Sequence, residues 1–134
     1  MGDGASSGSM VVWELIGGPV AGVAPDATLH EVADALVAAG VGALVVGDGD
    51  DPAGIISERD IVDALAQRRD PATTSASAFA ATTLVWCDAD ATVAEVAVRM
   101  MECWVRHILV ERAGRLVGVV SARDLLGAYI TGVT

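Results

Sequence analysis

The sequence GIISERD at residues 54–60 returns as GVVSARD at residues 118–124, an offset of 64 positions. The same offset relates DATLHEV at residues 26–32 to DATVAEV at residues 90–96, so neither copy carries an insertion between the matched segments. A repeat of this kind fixes the architecture before any single residue is interpreted. Two copies are too few for an open solenoid, and we therefore predict two units that pack about a pseudo-twofold axis.

Size and composition indicate that these two units share a core. The chain has 134 residues, 53% of them hydrophobic, and its mean hydropathy is +0.53. A unit of about 60 residues is only marginally able to bury a core by itself. Because no apolar run approaches the ~20 residues that span a bilayer, we expect no membrane insertion. The apolar surplus is assigned to a core and a subunit interface, and a homodimer or a larger assembly is the expected state.

The negative charge of the chain is concentrated in its first half. Residues 1–67 contain eleven acidic side chains and one arginine, whereas residues 68–134 contain seven of each, and lysine is absent. An acidic first half repels a nucleic-acid backbone, so nucleic acid is excluded as a partner. The absence of lysine also removes the phosphate-loop lysine and Schiff-base chemistry.

Apolar periodicity predicts the order β-α-β-β-α in each copy, an α/β fold of the α+β sandwich type. The capping boxes Thr28-x-x-Glu31 and Thr92-x-x-Glu95 begin the first helix of each copy. The chain divides into a flexible tail at 1–10, a first repeat at 11–69, a connector at 70–76 and a second repeat at 77–134. The predicted strands are 20–24, 43–46 and 54–56 in the first copy and 84–87, 108–110 and 117–120 in the second.

Three packing expectations follow from the same patterns. The second helix of the first copy is expected to bury Ile61, Val62 and Leu65 at helical spacing. The stretch 11–16 is expected to form a helical turn or arm that packs against the other repeat. Trp104, with the methionine pair that precedes it, is assigned to core or dimer packing rather than to a cofactor site.

A repeated β-α-β-β-α unit that ends in Gly-h-h-Ser-x-x-Asp, where h is apolar, resembles a tandem pair of cystathionine-β-synthase (CBS) domains, the Bateman module. The resemblance covers residues 11–129. It implies a regulatory module that binds an adenine-containing ligand, such as AMP, ATP or S-adenosylmethionine, in the clefts between repeats, and it implies pairing of modules into dimers. No cofactor is required. Because no residues remain for a catalytic domain, the effector would be a separate, unknown protein.

The resemblance assigns roles to the repeated motif. Ser57 and Ser121 would meet phosphate or ribose oxygens, and Asp60 and Asp124 would accept hydrogen bonds from the ribose hydroxyls. The residue types suit these roles, because a carboxylate can accept from both hydroxyls of a diol and a helix N-terminus favours a phosphate oxygen.

The resemblance also implies a basic residue early in the second strand, which neutralises phosphate. The second repeat has Arg106 and His107 there, whereas the first has Gly42 and Ala43. The proline that often follows in the family is replaced in both copies. The segments that would border the adenine are Gly22, Val23, Ala24, Trp86, Cys87 and Asp88.

Ser57-x-x-Asp60 and Ser121-x-x-Asp124 have a second interpretation that needs no ligand. Both satisfy a helix capping box, which is worth about 1 kcal/mol and accounts for the repetition by itself. The chain would then be a ligand-free structural or protein-interaction module that acts through dimerisation.

The remaining polar residues do not predict catalysis. Nothing in the sequence assembles a nucleophile, a base and an orienting group, so we predict no enzyme. Cys87 and Cys103 lack metal-ligand spacing and, with no secretory leader in the sequence, are expected as thiols in a reducing cytoplasm. His107 is interpreted as a core histidine in preference to a catalytic one. Residues 48–51 are interpreted as a hairpin turn, because the other ligand positions of a calcium loop are missing.

Overall fold

The computed structural model describes residues 9–16 and 18–133, with side chains described up to residue 130. Two three-stranded sheets, each with two helices, account for this part of the chain. The order β-α-β-β-α occurs twice, which confirms the predicted α/β class. The first set is β1 (Gly22–Val23), α1 (Leu29–Ala39), β2 (Ala43–Gly47), β3 (Pro52–Ser57) and α2 (Glu58–Ala66). The second set is β4 (Trp86–Asp88), α3 (Val93–Cys103), β5 (His107–Arg112), β6 (Arg115–Ser121) and α4 (Ala122–Val133).

The two sheets have the same topology and register. In each, the first strand runs parallel to the second, which pairs antiparallel with the third through a hairpin. Val45 pairs with Ile55 in the first sheet, and Leu109 pairs with Val119 at the equivalent positions of the second. The predicted turn at residues 48–51 closes the first hairpin, where the Asp50 N–H donates to Asp48 Oδ1 at 3.1 Å.

The first helix of each set begins at the predicted capping box. The Thr28 N–H donates to Glu31 Oε1 at 2.8 Å and the Glu31 N–H donates to Thr28 Oγ1 at 3.1 Å. Thr92 and Glu95 make the same pair of bonds at the same distances. Two of the four orphan N–H groups at each helix start are thereby satisfied.

Short arms that precede each repeat complete the two compact units. The Val12 N–H donates to the Ala91 oxygen at 2.8 Å, and the Ala76 N–H donates to the Ala27 oxygen at 2.7 Å. The two bonds are equivalent, because the two donors differ by 64 positions and so do the two acceptors. One unit therefore comprises Val20–Leu84, and the other combines the described parts of Met1–Pro19 and Val85–Thr134. Val12 is fully buried in the core of the second unit, which confirms that the arm packs against the other repeat.

The two units differ from the predicted repeats, 11–69 and 77–134, because the residues before Val20 belong to the same unit as the second repeat. The tail predicted over 1–10 lies outside the described residues as far as residue 8. Met10 belongs to the fold, because its carbonyl oxygen accepts from the Val93 N–H at 2.8 Å.

Two details of the sequence-based prediction are wrong. The first strand of each set is shorter than predicted, at Gly22–Val23 and Trp86–Asp88. In α2 the fully buried side chain is Ala64, whereas Val62 and Leu65 are 62% and 52% exposed. The apolar residues of α2 therefore exceed what its own unit can cover.

Candidate functional site

The motif serine and aspartate of the first repeat form the start of α2. The Ser57 N–H donates to Asp60 Oδ2 at 2.8 Å, and the Asp60 N–H donates to Ser57 Oγ at 3.4 Å. The Ser57 hydroxyl also donates to Asp60 Oδ2 at 3.1 Å, so its proton is used within the motif. The capping interpretation therefore holds for this pair.

The second repeat builds the same cap with one difference. The Ser121 N–H donates to Asp124 Oδ2 at 2.9 Å, and the Asp124 N–H donates to Ser121 Oγ at 3.0 Å. Among the bonds of the described residues, the Ser121 hydroxyl has no bond to Asp124 like the one that Ser57 makes. Its proton can therefore be donated to an external oxygen. In both caps the bonds use Oδ2, which fixes the carboxylate and leaves Oδ1 for a hydroxyl donor.

The strand register brings the basic residues of the second repeat to this helix start. His107 is paired with Ser121 across β5 and β6, and the Ala122 N–H donates to the Arg106 carbonyl oxygen at 2.8 Å. Arg106 is exposed and His107 is half-buried. Four of the predicted site residues, Arg106, His107, Ser121 and Asp124, thus lie at one edge of one sheet.

The equivalent edge of the first repeat carries the opposite charge. The Glu58 N–H donates to the Gly42 carbonyl oxygen at 3.0 Å, in the place of the Ala122–Arg106 bond. Glu58 Oε1 lies 2.8 Å from the position that a Cβ on Gly42 would occupy. A carboxylate therefore lies beside the strand position that is equivalent to Arg106 in the second repeat. Sequence reasoning missed Glu58, although the mismatch between Glu58 and Ala122 inside the repeated heptapeptide was the signal that marks it.

The segments predicted to border the adenine lie further along the sheets. Cys87 is paired with Val110, three positions along β5 from His107, which is about 10 Å at the usual strand rise. Cys87 and Val23 pack in part against the cores of their units, whereas Ala24 and Asp88 are exposed. Burial raises the pKa of the Cys87 thiol to about 11, with Arg99 acting in the opposite direction.

A groove of about 440 Å³ opens beside β4 and α3 in the second unit. Trp86, Cys87 and Asp88 line it, together with Arg99 and the carboxylates of α3 and β5. Since Arg99 faces four carboxylates there, the groove is a poor environment for a phosphate.

No group of three or more His, Cys, Asp or Glu side chains is placed to hold a metal ion within residues 9–16 and 18–133. In the same part of the chain, no helix has the length and apolarity that a membrane span requires.

Two β-α-β-β-α units with matching Ser–Asp helix starts define a tandem-repeat α/β protein. The CBS domain model matches residues 12–67 and 76–131. The chain therefore belongs to the CBS domain family and carries two copies of the domain.

Several proteins resemble the chain closely. The CBS-domain protein of Agrobacterium tumefaciens is 34% identical, with a TM-score of 0.80 over 90% of this chain and 93% of that one. A CBS domain protein of Pyrobaculum aerophilum, solved in complex with AMP, is 31% identical, with a TM-score of 0.77 over 91% of this chain and 99% of that one.

A curated relative matches a shorter stretch. Hypoxic response protein 1 of Mycobacterium tuberculosis is 38% identical over 87 residues, which is 63% of this chain and 61% of that relative. The match thus spans less than two thirds of the relative's length.

Proposed function

We propose that this tandem CBS protein is a regulatory sensor that binds an adenine-containing ligand of the AMP, ATP or S-adenosylmethionine class and signals to a separate partner protein. The Pyrobaculum relative, which binds AMP, supports the ligand class. The observation that carries the proposal is the start of α4, where the Ser121–Asp124 cap adjoins the backbone of the basic residue Arg106. No catalytic step is part of it.

The three side chains have complementary roles toward a nucleotide. The cap holds Asp124 in one orientation, and Oδ1 accepts from the ribose hydroxyls. The Ser121 hydroxyl donates to a phosphate oxygen, and the Arg106 guanidinium neutralises the phosphate charge. A preformed carboxylate loses little rotamer entropy on binding, which favours affinity.

The two repeats are expected to bind unequally. Glu58 places a negative charge beside the Ser57 motif, where it repels a phosphate, and the Ser57 proton is already donated to Asp60. The second-repeat site therefore takes phosphorylated ligands, and the first-repeat site disfavours them.

Signalling requires that the ligand bind two conformations of the protein with different affinity. The sequence-based expectation that the ligand bridges the two repeats stays a prediction. A homodimer is the assembly that we propose for such a shift.

Calorimetric titration with AMP and with adenosine tests the proposal. Arg106→Ala should weaken AMP binding by about 10- to 100-fold, the equivalent of about 1.5–3 kcal/mol for a hydrogen bond to a charged group. The same variant should leave adenosine binding nearly unchanged, because adenosine lacks the phosphate.

Asp-to-Asn variants separate the ligand role from the cap. Asparagine keeps an acceptor oxygen for the cap, so Asp124→Asn should remain folded and yet weaken both ligands. Asp60→Asn is its matched control and should change AMP affinity by less than about twofold. Glu58→Ala should strengthen a second, weaker AMP-binding event. If the unmodified protein binds none of AMP, ATP and S-adenosylmethionine at millimolar concentration, the ligand-free interaction module is the better description.

A further inference from the structure

The second sheet has an open edge at β4. The sheet order is β4-β5-β6, so β4 pairs with another strand on one side only. The Leu109 N–H donates to the Val85 oxygen at 2.9 Å, and the Ala89 N–H donates to β5 beyond the other end of β4, also at 2.9 Å. Because alternate residues of a parallel strand bond to the same neighbour, Trp86 and Asp88 direct their N–H groups to the other side. Neither N–H group has a hydrogen-bond partner among the described residues, and such an edge is a template for another strand.

The groove beside β4 and α3 runs along this open edge. Three consecutive residues of β4 line it, namely Trp86, Cys87 and Asp88. Successive side chains of a strand point to opposite faces of the sheet, so a groove that touches all three borders the edge of the strand rather than one face. The opposite wall is one side of α3, whose lining residues recur at helical spacing. They are Glu95, Val96, Arg99 and Glu102.

The groove concentrates the negative charge of a nearly neutral part of the chain. Residues 85–134 contain six acidic side chains and five arginines. Four of the six acidic side chains line the groove, together with one arginine, Arg99. Within the described residues, none of the four forms a salt bridge, so their charge stays available to a cation. The four are Asp88, Glu95, Glu102 and Glu111.

The corresponding edge of the first sheet, β1, lacks this charge although it belongs to the more acidic repeat. Residues 20–84 contain ten acidic side chains and three arginines. Of the four groove carboxylates, only Glu95 has an acidic counterpart there, Glu31. The positions equivalent to the other three are Ala24, Ala38 and Gly47. The negative groove is therefore a property of the β4 edge and not of the chain as a whole.

We propose that the β4 edge binds an extended basic segment of a partner protein, which adds to the sheet as a further strand. The backbone of the segment bonds to the free groups of Trp86 and Asp88, and its arginine or lysine side chains meet the groove carboxylates. A second copy of β4 is disfavoured as the occupant, because it brings the same carboxylates into like-charge contact. The proposal does not rest on nucleotide binding, and its test uses no nucleotide.

A capped hexapeptide of alternating arginine and valine is the probe, and calorimetric titration measures its affinity. Valine favours an extended strand, and arginine complements the charge of the groove. The peptide should bind, whereas a version with glutamate in place of arginine should not. A version in which every backbone N–H is methylated keeps the charge but cannot donate to a neighbouring strand. It should bind at least about tenfold more weakly, which is the scale of one or two lost hydrogen bonds.

Backbone amide hydrogen exchange identifies the mode of binding. The Trp86 and Asp88 N–H groups should exchange rapidly in the free protein and slowly in the complex with the arginine–valine peptide. Attraction by charge alone would not protect these two groups. The methylated peptide should therefore leave their exchange unchanged.

Charge variants of the groove should have effects of opposite sign. Glu102→Gln combined with Glu111→Gln should weaken binding of the arginine–valine peptide by about 5- to 10-fold, the scale of two exposed ion pairs. Arg99→Gln should strengthen it by about two- to fivefold, a gain that damage to the fold cannot produce. The matched control, Asp34→Asn combined with Asp63→Asn, removes two exposed carboxylates from the helices of the first repeat. It should change the affinity by less than about twofold.

Four results would overturn the proposal. The first is no binding of the arginine–valine peptide at millimolar concentration. The second is equal affinity for the methylated peptide, which would leave a surface that attracts cations by charge alone. The third is slow exchange of the Trp86 and Asp88 N–H groups in the free protein, which would show that the edge is already covered. The fourth is an equal loss of affinity in the two double variants.

Discussion

The two repeats share a backbone plan and differ in what their side chains offer to other molecules. Their caps, registers and arms coincide position by position at the same offset. At the edge beside the motif serine, however, the first repeat presents Glu58 and the second presents Arg106. At the end of the first helix, glycine in one repeat corresponds to an exposed tryptophan in the other. The backbone hydrogen bonds of the frame recur in both copies, whereas these two differences lie at exposed positions.

The motif glycines illustrate a difference inside this shared frame. A Cβ on Gly54 would lie 2.8 Å from the backbone oxygen of Ala81, which accepts from the Ile55 N–H at 2.9 Å. A Cβ on Gly118 would instead meet side-chain atoms of Ile16, and no backbone atom lies as close to it. Both glycines allow an arm to pass close to the sheet, and an added Cβ would meet a backbone atom only at Gly54.

The largest expected effect is a difference in stability between substitutions at these two glycines. Gly54→Ala should lower the free energy of unfolding by about 2–3 kcal/mol, because the Ala81 backbone must move and its bonds to Ile55 weaken. Gly118→Ala should cost about 1 kcal/mol, since Ile16 can yield. Urea denaturation measures both values.

Gly49 provides the control for the glycine comparison. A Cβ there would have no neighbour within 4 Å, so Gly49→Ala should change stability by less than about 0.5 kcal/mol. Equal losses of unfolding free energy in Gly54→Ala and Gly118→Ala would show that the two arms resist displacement equally.

A smaller effect is expected at the motif serines. Ser57→Ala and Ser121→Ala each remove a cap acceptor, which should cost about 1 kcal/mol. The loss should be greater for Ser57, because its hydroxyl also donates to Asp60. Thermal unfolding of both variants checks the order, and Ser57→Thr, which keeps the cap oxygen, should restore most of the loss. The reverse order would contradict the difference in hydrogen bonding.

The smallest effect concerns Cys87, whose counterpart in the first repeat is Val23. Burial raises the Cys87 pKa from 9.0 to about 11, so the folded state retains a proton that the unfolded chain releases earlier. The resulting stabilisation is complete below about pH 9 and is lost as the pH rises toward about 11. Because the thiol is only half-buried, the loss should stay below about 1 kcal/mol.

Cys87→Val makes the second repeat like the first and should abolish this alkaline loss. Unfolding free energies of the two proteins at several alkaline pH values provide the measurement. The exposed Cys103 can be replaced by serine in both proteins, so that only one thiol titrates. A loss that persists unchanged in Cys87→Val would assign it to another group.

Local sequence signals predicted much of the frame but not its packing partners. The capping boxes at Thr28 and Thr92 could be predicted, because each depends on two side chains three residues apart. The burial of Ala64 in place of Val62 and Leu65 could not be predicted from the sequence. All three are apolar, and only the neighbouring elements decide which one faces the core. The short first strands were also overpredicted, because apolar runs do not reveal how many residues find a hydrogen-bonding partner.

The same division holds for the candidate site. The repeated motif identified Ser57, Asp60, Ser121 and Asp124 as helix starts, and the family resemblance assigned Arg106 and His107 to the same site. The contact of Glu58 with the Gly42 position depends on a helix start folding back over a strand start, so it required coordinates.

By itself, the sequence determined the repeat, the family resemblance, the order of the elements and the caps, since these depend on residue types at fixed short spacings. Tertiary structure decided which apolar residues of the helices stay exposed and where the Glu58 carboxylate lies. These properties depend on contacts between residues distant in sequence, and side-chain identity alone does not specify such contacts.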